Sequence, residues 1–546
     1  MRLMPRSKWG VAWRGLAAFV VVVACAAGAT ATGALLQVRA VLKIINVHRA
    51  IHSAQIKLPA PGKPETLLLV GVDHRYGQGS GPGLTDTMML VRINDKSSTI
   101  NTLSVPRDLA VNVPGYGVEK LNAAYTEGGP DLLIKTLRAD VFPTLQVNHL
   151  LLVDFASFSN LINAIGCVYA QVDHRYYNHS VGLLNPTTDY SSIDIEPGYQ
   201  KMCGGSGSNL GGANTALAFV RFRHNDSDFV RQARQQDFLR WARQGFSTSK
   251  LFSERTQLLT DFANDVQMDA GLHTTSGIIT LFDLAINANG GTMKSFPFPY
   301  TGFVDVGGAS DVSFSPTAAE QTYQQFLKPT LSAPSGGSST TTTTTPPPAP
   351  GKHGRHHRSK PRVFTPPAYM SLDSADGRSQ AAQLGHPGLP VYYPAYVPQN
   401  FTYCFSLTGN CDIGYEVQAN PQAYAGAYPR SYVIDGFGGK RYRSYVMTMV
   451  YSSGGYADTA TGDYATVQGT TWPGAGHAAG PPILRTPTTE KVVNGKLLYL
   501  YSQGGHLTVV AFKTSRAVYW ISNTLQNTIP NDQMVAMAAT FTRAPA

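Results

Sequence analysis

Four arginines fall within fourteen positions, at 221, 223, 231 and 234, and the only acids among them are Asp226 and Asp228. They lie in ALAFVRFRHNDSDFVRQARQQ (216–236). Arg221 and Arg223 are two apart, so in extended chain they share a side. From Asp228 the pattern turns helical, which puts Arg231, Arg234 and Gln235 on one face at i, i+3 and i+4. Planar guanidinium forks converging on one spot suit an anion with several oxygens, phosphate first among them. A solvated basic helix face is the plainer reading of this segment taken alone.

Three further stretches supply matching chemistry. In TLSVPRD (102–108) an alternating strand ends at a proline and delivers Arg107. In LLLVGVDHR (67–75) an apolar run of the kind a buried strand shows stops at Asp73, and in TDTMMLVR (85–92) Asp86 opens another strand. Functional residues of open α/β sheets gather where strands end. Two carboxylates there, opposite several arginines, suit a Mg²⁺-bound pyrophosphate: hard oxygens for the metal, cations for the remaining charge. Either aspartate alone reads equally as a cap or turn residue.

These pieces, in this order, resemble the LytR-CpsA-Psr family. The matching motifs are GVDHR (71–75), LTDTMMLV (84–91), SVPRDL (104–109), KLNAAY (120–125) and the arginine-rich 216–236. The resemblance covers residues 64–300 and implies an α-β-α sandwich enzyme on the outer face of the cytoplasmic membrane. Such enzymes move a glycopolymer from a polyprenyl-pyrophosphate carrier onto peptidoglycan. Carried over by position, Asp73 and Asp86 would bind Mg²⁺, and Arg107, Arg221, Arg223 and Arg231 would hold the pyrophosphate. Gln235 would hydrogen-bond beside them, Lys120 would reach the phosphates, and Asp228 and Arg234 would support the site. Arg107, Asp86 and Arg221 are the residues expected to carry the chemistry, with Asp86 suggested as acceptor of the attacking hydroxyl's proton. Two other readings fit the same residues: a polyprenyl-pyrophosphate pyrophosphatase, with water replacing the sugar, and a regulatory protein that holds the carrier without turning it over.

The elements that must position these residues follow from composition. The 546-residue chain carries a formal charge of +10, but residues 1–50 and 351–362 together hold +12, so the rest is slightly acidic. A nucleic-acid reader shows its basic face on a folded domain, so nucleic acid is excluded as a partner and a membrane neighbourhood is favoured. Residues 1–14 read as a cytoplasmic tail and 15–38 as a transmembrane signal anchor, with LAAFVVVVA (16–24) at its heart. A cleaved signal peptide ending at Ala29-Thr30-Ala31 and a lipoprotein box at Val22-Val23-Ala24-Cys25 are the alternatives, and all three export the chain. Residues 39–63 form a juxtamembrane segment.

Strands and helices alternate through 64–330, the α/β catalytic domain, with a strand at 99–105 and an amphipathic helix at 155–163. The carrier's tail needs an apolar slot, for which LLLVDF (150–155) and FSNLI (158–162) are candidates, although ordinary core reads the same way. Residues 331–362, Thr/Pro-rich and then basic, read as a linker that leaves the two sides independent. Residues 363–546 read as a smaller α+β domain without a catalytic constellation, with strands at 497–502, 507–512 and 517–522. A helix at 531–540 is expected to be capped by Asn531 or Asp532. Outside the apolar run the cysteines pair naturally within domains, Cys167 with Cys203 and Cys404 with Cys411.

Overall fold

The computed structural model describes residues 50–58, 63–73, 83–94, 96–179, 192–205, 216–222, 227–245, parts of 258–281, 292–328, 364–404, 428–453, 456–457, 463–477 and 479–545. The first region opens with β1 (Glu65–Asp73), β2 (Leu84–Asn94), β3 (Thr99–Val105), β4 (Ala110–Val113), β5 (Gly117–Lys120) and α1 (Leu121–Thr136). It continues with β6 (His149–Asp154), α2 (Phe155–Ala164), β7 (Val168–Val172), β8 (Tyr176–His179), β9 (Ser192–Ile195) and β10 (Gly198–Met202). It closes with α3 (Ala216–Arg221), α4 (Asp228–Gly245), β11 (Gln267–Met268), β12 (Thr292–Phe296), β13 (Tyr300–Val306), β14 (Ala309–Phe314) and α5 (Pro316–Leu327).

Six strands make the central sheet in the order β11-β6-β1-β2-β3-β12. The β1–β2 and β2–β3 pairs are antiparallel, whereas β1–β6 and β3–β12 are parallel. The apolar run of β1 is buried on both faces because helices cover both. Leu68, Val70 and Val72 pack with α1 and α5 on one side. Leu67 and Leu69 turn to the other, where Leu151, Met268 and Ile278 meet them. This α-β-α sandwich is the architecture that the family resemblance implied, built from the alternating strands and helices read in the sequence.

The second region is α+β, as expected. It begins with β15 (Met370–Leu372), α6 (Ser374–Gln383), β16 (Tyr392–Pro394), β17 (Tyr396–Pro398), β18 (Phe401–Tyr403) and β19 (Arg430–Asp435). Then come β20 (Arg441–Ser453), β21 (Tyr456–Ala457), β22 (Tyr464–Thr470), β23 (Thr489–Val493), β24 (Lys496–Gln503), β25 (His506–Lys513), β26 (Val518–Ser522), α7 (Asn531–Ala539) and β27 (Phe541–Arg543). A nine-stranded sheet runs β18-β20-β22-β26-β25-β24-β23, with β19 and β21 both on β20. The three expected strands pair consecutively as β24, β25 and β26. The capping expectation for the last helix is corrected: its N-cap is Pro530, with no side-chain cap. The Asn531 side chain instead accepts from the Leu507 amide (2.7 Å) and donates to the Gly505 carbonyl (2.8 Å), tying the helix start to β25.

The two regions are not independent, which corrects the reading drawn from the intervening composition. Tyr169 on β7 and Tyr199 on β10 are buried in one cluster with Trp472, Trp520 and Tyr501 of the second region. The Tyr169 hydroxyl donates to the Asp435 carbonyl (2.7 Å), and the Ile483 amide donates to the Tyr199 hydroxyl (3.2 Å). Thr448 Oγ1 donates to the Asp173 carbonyl (2.9 Å), and the Arg175 amide donates to the Tyr428 hydroxyl (2.7 Å). Alternation on β7 and β10 marks their tyrosines as buried but does not say that the burying partner lies some 270 residues away. The Cys167–Cys203 disulfide closes the β7–β10 ladder at its outer end. Cys404 is also disulfide-bonded, while Cys411 lies outside the described residues.

Candidate active site

The site forms where β1, β2 and β3 end. Pairing between β1 and β2 jumps from Gly71–Thr87 to Val72–Thr85, which leaves Asp86 as the extra residue of a β-bulge. A bulge re-aims the side chain it carries. Here it turns Asp86 toward three arginines from three other elements. Arg107, two residues past β3, pairs through Nη1 with Asp86 Oδ1, and its Nε lies 3.4 Å from Asp108 Oδ2. Arg221, the last residue of α3, donates from Nη2 to Asp86 Oδ2 at 3.2 Å, its guanidinium 3.9 Å from the Phe155 ring centre. Arg231, in the first turn of α4, donates to the Asp86 carbonyl at 3.2 Å and pairs with Asp228. One turn on, Gln235 donates to Thr87 Oγ1 (3.0 Å) and to the Val220 carbonyl (3.2 Å).

Electrostatics follow from this crowding. Burial pushes the Asp86 carboxyl up, but Arg107, Arg221 and Arg231 together outweigh it and hold the group below the usual carboxylate range. Burial lowers Arg107, and Asp86, Asp108 and Asp228 more than reverse that, so its proton is held more tightly than usual. The result is an ionised carboxylate ringed by fixed guanidinium groups.

Directly beneath lies an apolar slot of about 550 Å³ whose mouth carries Asp86, Thr87, Arg221 and Gln235. Leu67, Leu69, Met89, Val91 and Ile93 floor it, and α2 and α4 wall it. Of the two segments singled out for such a slot, Leu151, Val153, Phe155, Phe158, Leu161 and Ile162 do line it. Leu150 and Leu152 point to the opposite face and belong to the core.

Some residues stand differently from expectation. Arg221 ends a helix rather than sitting in extended chain, and Arg223 lies outside the described residues. Arg234 does not share the face of Arg231 and Gln235 toward the site. It is fully buried, donates to the Phe219 and Phe222 carbonyls (3.3 and 2.8 Å) and covers the Tyr176 ring at 4.4 Å. The reason is helical pitch: Arg231 and Gln235 are one full turn apart, while Arg234 falls to the side where α3 ends. Lys120 contacts Asp108 (3.2 Å) and Asp311 (3.1 Å), so two carboxylates stand between it and the cluster as a rear layer. Of Asp73 only the main chain is described, opposite Leu84 and two residues from Asp86. Asp108, Asp311 and Thr87 were missed by residue-type reasoning, and Phe155, expected only in the slot, also stacks on Arg221. Asp108 lay in plain view beside Arg107, but Asp311 arrives from a distant hairpin.

Among the described residues no group of three or more His, Cys, Asp or Glu gathers as a metal cluster. The donor chemistry nevertheless fits a hard divalent ion: Asp86 is held ionised, and the main chain brings Asp73 to the neighbouring strand end.

The LytR_cpsA_psr family model matches residues 38–327, more than half of the chain. The chain belongs to the LytR-CpsA-Psr family. Relatives of this family member include the polyisoprenyl-teichoic acid–peptidoglycan teichoic acid transferase TagT of Bacillus subtilis, 29% identical over 42% of this chain and 68% of that protein. The probable cell wall biosynthesis protein LcpB of Corynebacterium glutamicum is 31% identical over 31% of this chain and 39% of its own length. Among solved structures, a LytR-Csp2A-Psr enzyme from Actinomyces oris shares 19% identity over 51% of this chain and 94% of that one, with a TM-score of 0.38. Matches to the curated relatives thus span from under half to about two thirds of their lengths.

Proposed function

We propose that this LytR-CpsA-Psr protein is a phosphotransferase that moves a glycopolymer from a polyprenyl-pyrophosphate carrier onto a sugar hydroxyl of peptidoglycan. One observation carries the reading: the guanidinium cluster sits at the mouth of the apolar slot, so a charged head and a greasy tail are accommodated side by side. The name of the TagT relative points to the same chemistry, and that of LcpB to cell wall biosynthesis. In the reaction the sugar oxygen attacks the phosphorus nearer the glycan, a new P–O bond forms, and the bond to the prenyl phosphate breaks. Arg107, Arg221 and Arg231 hold the pyrophosphate oxygens and neutralise charge on the departing phosphate, with Arg223 adding to the field, while Lys120, paired to Asp108 and Asp311, stands behind them. Gln235 orients the group beside them. Asp73 and Asp86 would hold Mg²⁺, which would supply further positive charge to the pyrophosphate. Asp86 itself is a poor proton acceptor, because the arginines that keep it ionised also lower its basicity. The domain works outside the cytoplasmic membrane, anchored by residues 15–38. That segment lies outside the described residues, among which no helix is long and apolar enough to cross a membrane.

The test uses the purified full chain, a lipid-linked pyrophosphate substrate and peptidoglycan. Asp86→Asn and Arg221→Lys should each lower turnover by about 100-fold or more, the second because an ammonium cannot replace a bidentate fork. Wild-type rates in both variants would remove the site from the chemistry. Release of prenyl phosphate with no peptidoglycan-linked product would assign a hydrolase instead.

A further inference from the structure

At the opposite end of the same sheet lies a second cavity, of about 580 Å³, between residues 57–58 and 63–66, the end of β2 and helix α5. Lys57, Lys63 and Arg92 line it, and among the described residues no carboxylate does. The Arg92 guanidinium is partly buried and gives one N–H to Thr66 Oγ1 at 2.8 Å. Burial lowers its pKa, against a smaller raising effect from the Tyr323 hydroxyl. That hydroxyl accepts from the Gln146 amide (3.2 Å), which leaves its own proton to give. Glu320, one turn of α5 before Gln324, is engaged by the Thr144 hydroxyl and by Gln324 (2.7 Å). Asn148 fixes the wall: it accepts from the Thr66 amide and donates to the Lys57 carbonyl, each at 2.8 Å. Among the described residues no carboxylate lines the pocket around the half-buried Arg92 guanidinium, and positive charge so placed suits an anion.

Its position says which anion. Thr66 and Arg92 pair directly across β1 and β2. Their neighbours Leu67 and Ile93 point to the other face, where they line the slot together with Ile100 and Met293. The cavity and the distal end of the slot therefore share one edge of the sheet. Arg92 is six residues along β2 from Asp86, about 20 Å at strand rise. The chain arriving from the N-terminus reaches the domain at this same edge, where the Lys57 amide donates to the Val147 carbonyl (3.0 Å).

We infer that the Lys57–Lys63–Arg92 cavity binds the phosphate headgroup of an anionic membrane lipid and seats this edge of the domain on the bilayer. The choice of a lipid rests on the carrier reading above, since a prenyl tail leaving the slot's distal end puts that edge toward the membrane. The anion chemistry itself does not depend on it. Guanidinium and ammonium groups take a phosphodiester as readily as a pyrophosphate, and the cavity is of ligand size.

The experiment reads labelling rather than turnover, so it fails separately from the transferase assignment. The full chain in a neutral detergent is exposed to an amine acylating reagent, and modification of Lys57 and Lys63 is followed by peptide mass spectrometry. Short-chain phosphatidylglycerol, phosphatidylcholine or glycerol 3-phosphate is titrated in. Phosphatidylglycerol should slow labelling of both lysines, with Lys491 in the second region unchanged as a control. Arg92→Gln should move the phosphatidylglycerol midpoint up by about tenfold or more. Lys63→Gln, an exposed change that spares the fold, should weaken protection of Lys57 in the same direction. Equal protection by glycerol 3-phosphate would overturn the lipid assignment in favour of a soluble phosphate ester. Equal protection by phosphatidylcholine, or none by any ligand, would overturn the anion site.

Discussion

Asp86 is the residue on which the site turns, and its charge state follows from its partners. Its carboxyl is held below the ordinary value of about 3.9, so its pairing with the arginines is intact at every pH above that and fails only as pH falls through the lowered value. An acid limb of activity near neutrality would therefore belong to another group. Arg234 shows the opposite use of the same residue type. It is a buried cation held by two carbonyls and a ring, so it ties α4 to the end of α3 rather than meeting substrate. Arg234→Met should cost about 2–4 kcal/mol of stability, because it strands two buried carbonyls. A thermal melt reads this; an unchanged melting temperature with lost turnover would place Arg234 in the chemistry after all.

Helix α4 joins two tasks along one element. Its first turns present Arg231 and Gln235 to β2, while its last turns carry Asp237, Arg240 and Trp241 to a small cavity shared with Tyr501, Ser522 and Asn523. Burial there pushes the Asp237 carboxyl up to about 6, against the pull of Arg240 at 2.8 Å and with a further push from Asp173. A raised carboxyl pKa means that the folded state holds the proton more tightly. The associated stability is full below about pH 4 and is lost as pH rises through about 6. Asp237→Asn cannot ionise, so its melting temperature relative to the wild type should climb between pH 4 and pH 7. A difference that stays flat over that range would show that Asp237 does not titrate there.

The whole molecule is one docked unit. Tyr169, Tyr199, Trp472 and Trp520 share a buried cluster, and α4 also packs on residues 482–484. Ending the chain near Pro329 would expose both tyrosines and orphan the hydrogen bonds now made by Asp173, Arg175 and Gln171. Each buried aromatic contact of this kind is worth about 0.5–1.5 kcal/mol beyond its area. The shortened protein should therefore melt at least several degrees lower and lose turnover as α4 loosens. Equal melting temperature and equal rate for the two chains would show that the second region only rests on the first. That region thus acts as a brace behind the helix that supplies Arg231 and Gln235.

Local pattern was enough for the strands and helices of the first region, and the family resemblance for their arrangement as a sandwich. The alternation in 99–105, the double-faced apolar run of β1 and the strand-ending acids are properties of neighbouring residues, and period and burial demand act over a few positions. Arg223 lies outside the described residues, while Arg107, Arg221 and Arg231, the sides of the slot drawn from 150–162 and the Cys167–Cys203 pair were legible in the sequence. Four things were not. The bulge that aims Asp86 depends on how β1 and β2 register, and the turn of Arg234 into the core depends on where α3 stops. The neutralisation of Lys120 depends on a hairpin nearly two hundred residues away, and the seating of the second region on β7 and β10 depends on surfaces that form only after both sheets exist. A sequence marks which side chains must be buried or paired; which distant group completes the burial or the pair is decided by packing of the whole chain, because that choice is a sum over contacts no local window contains.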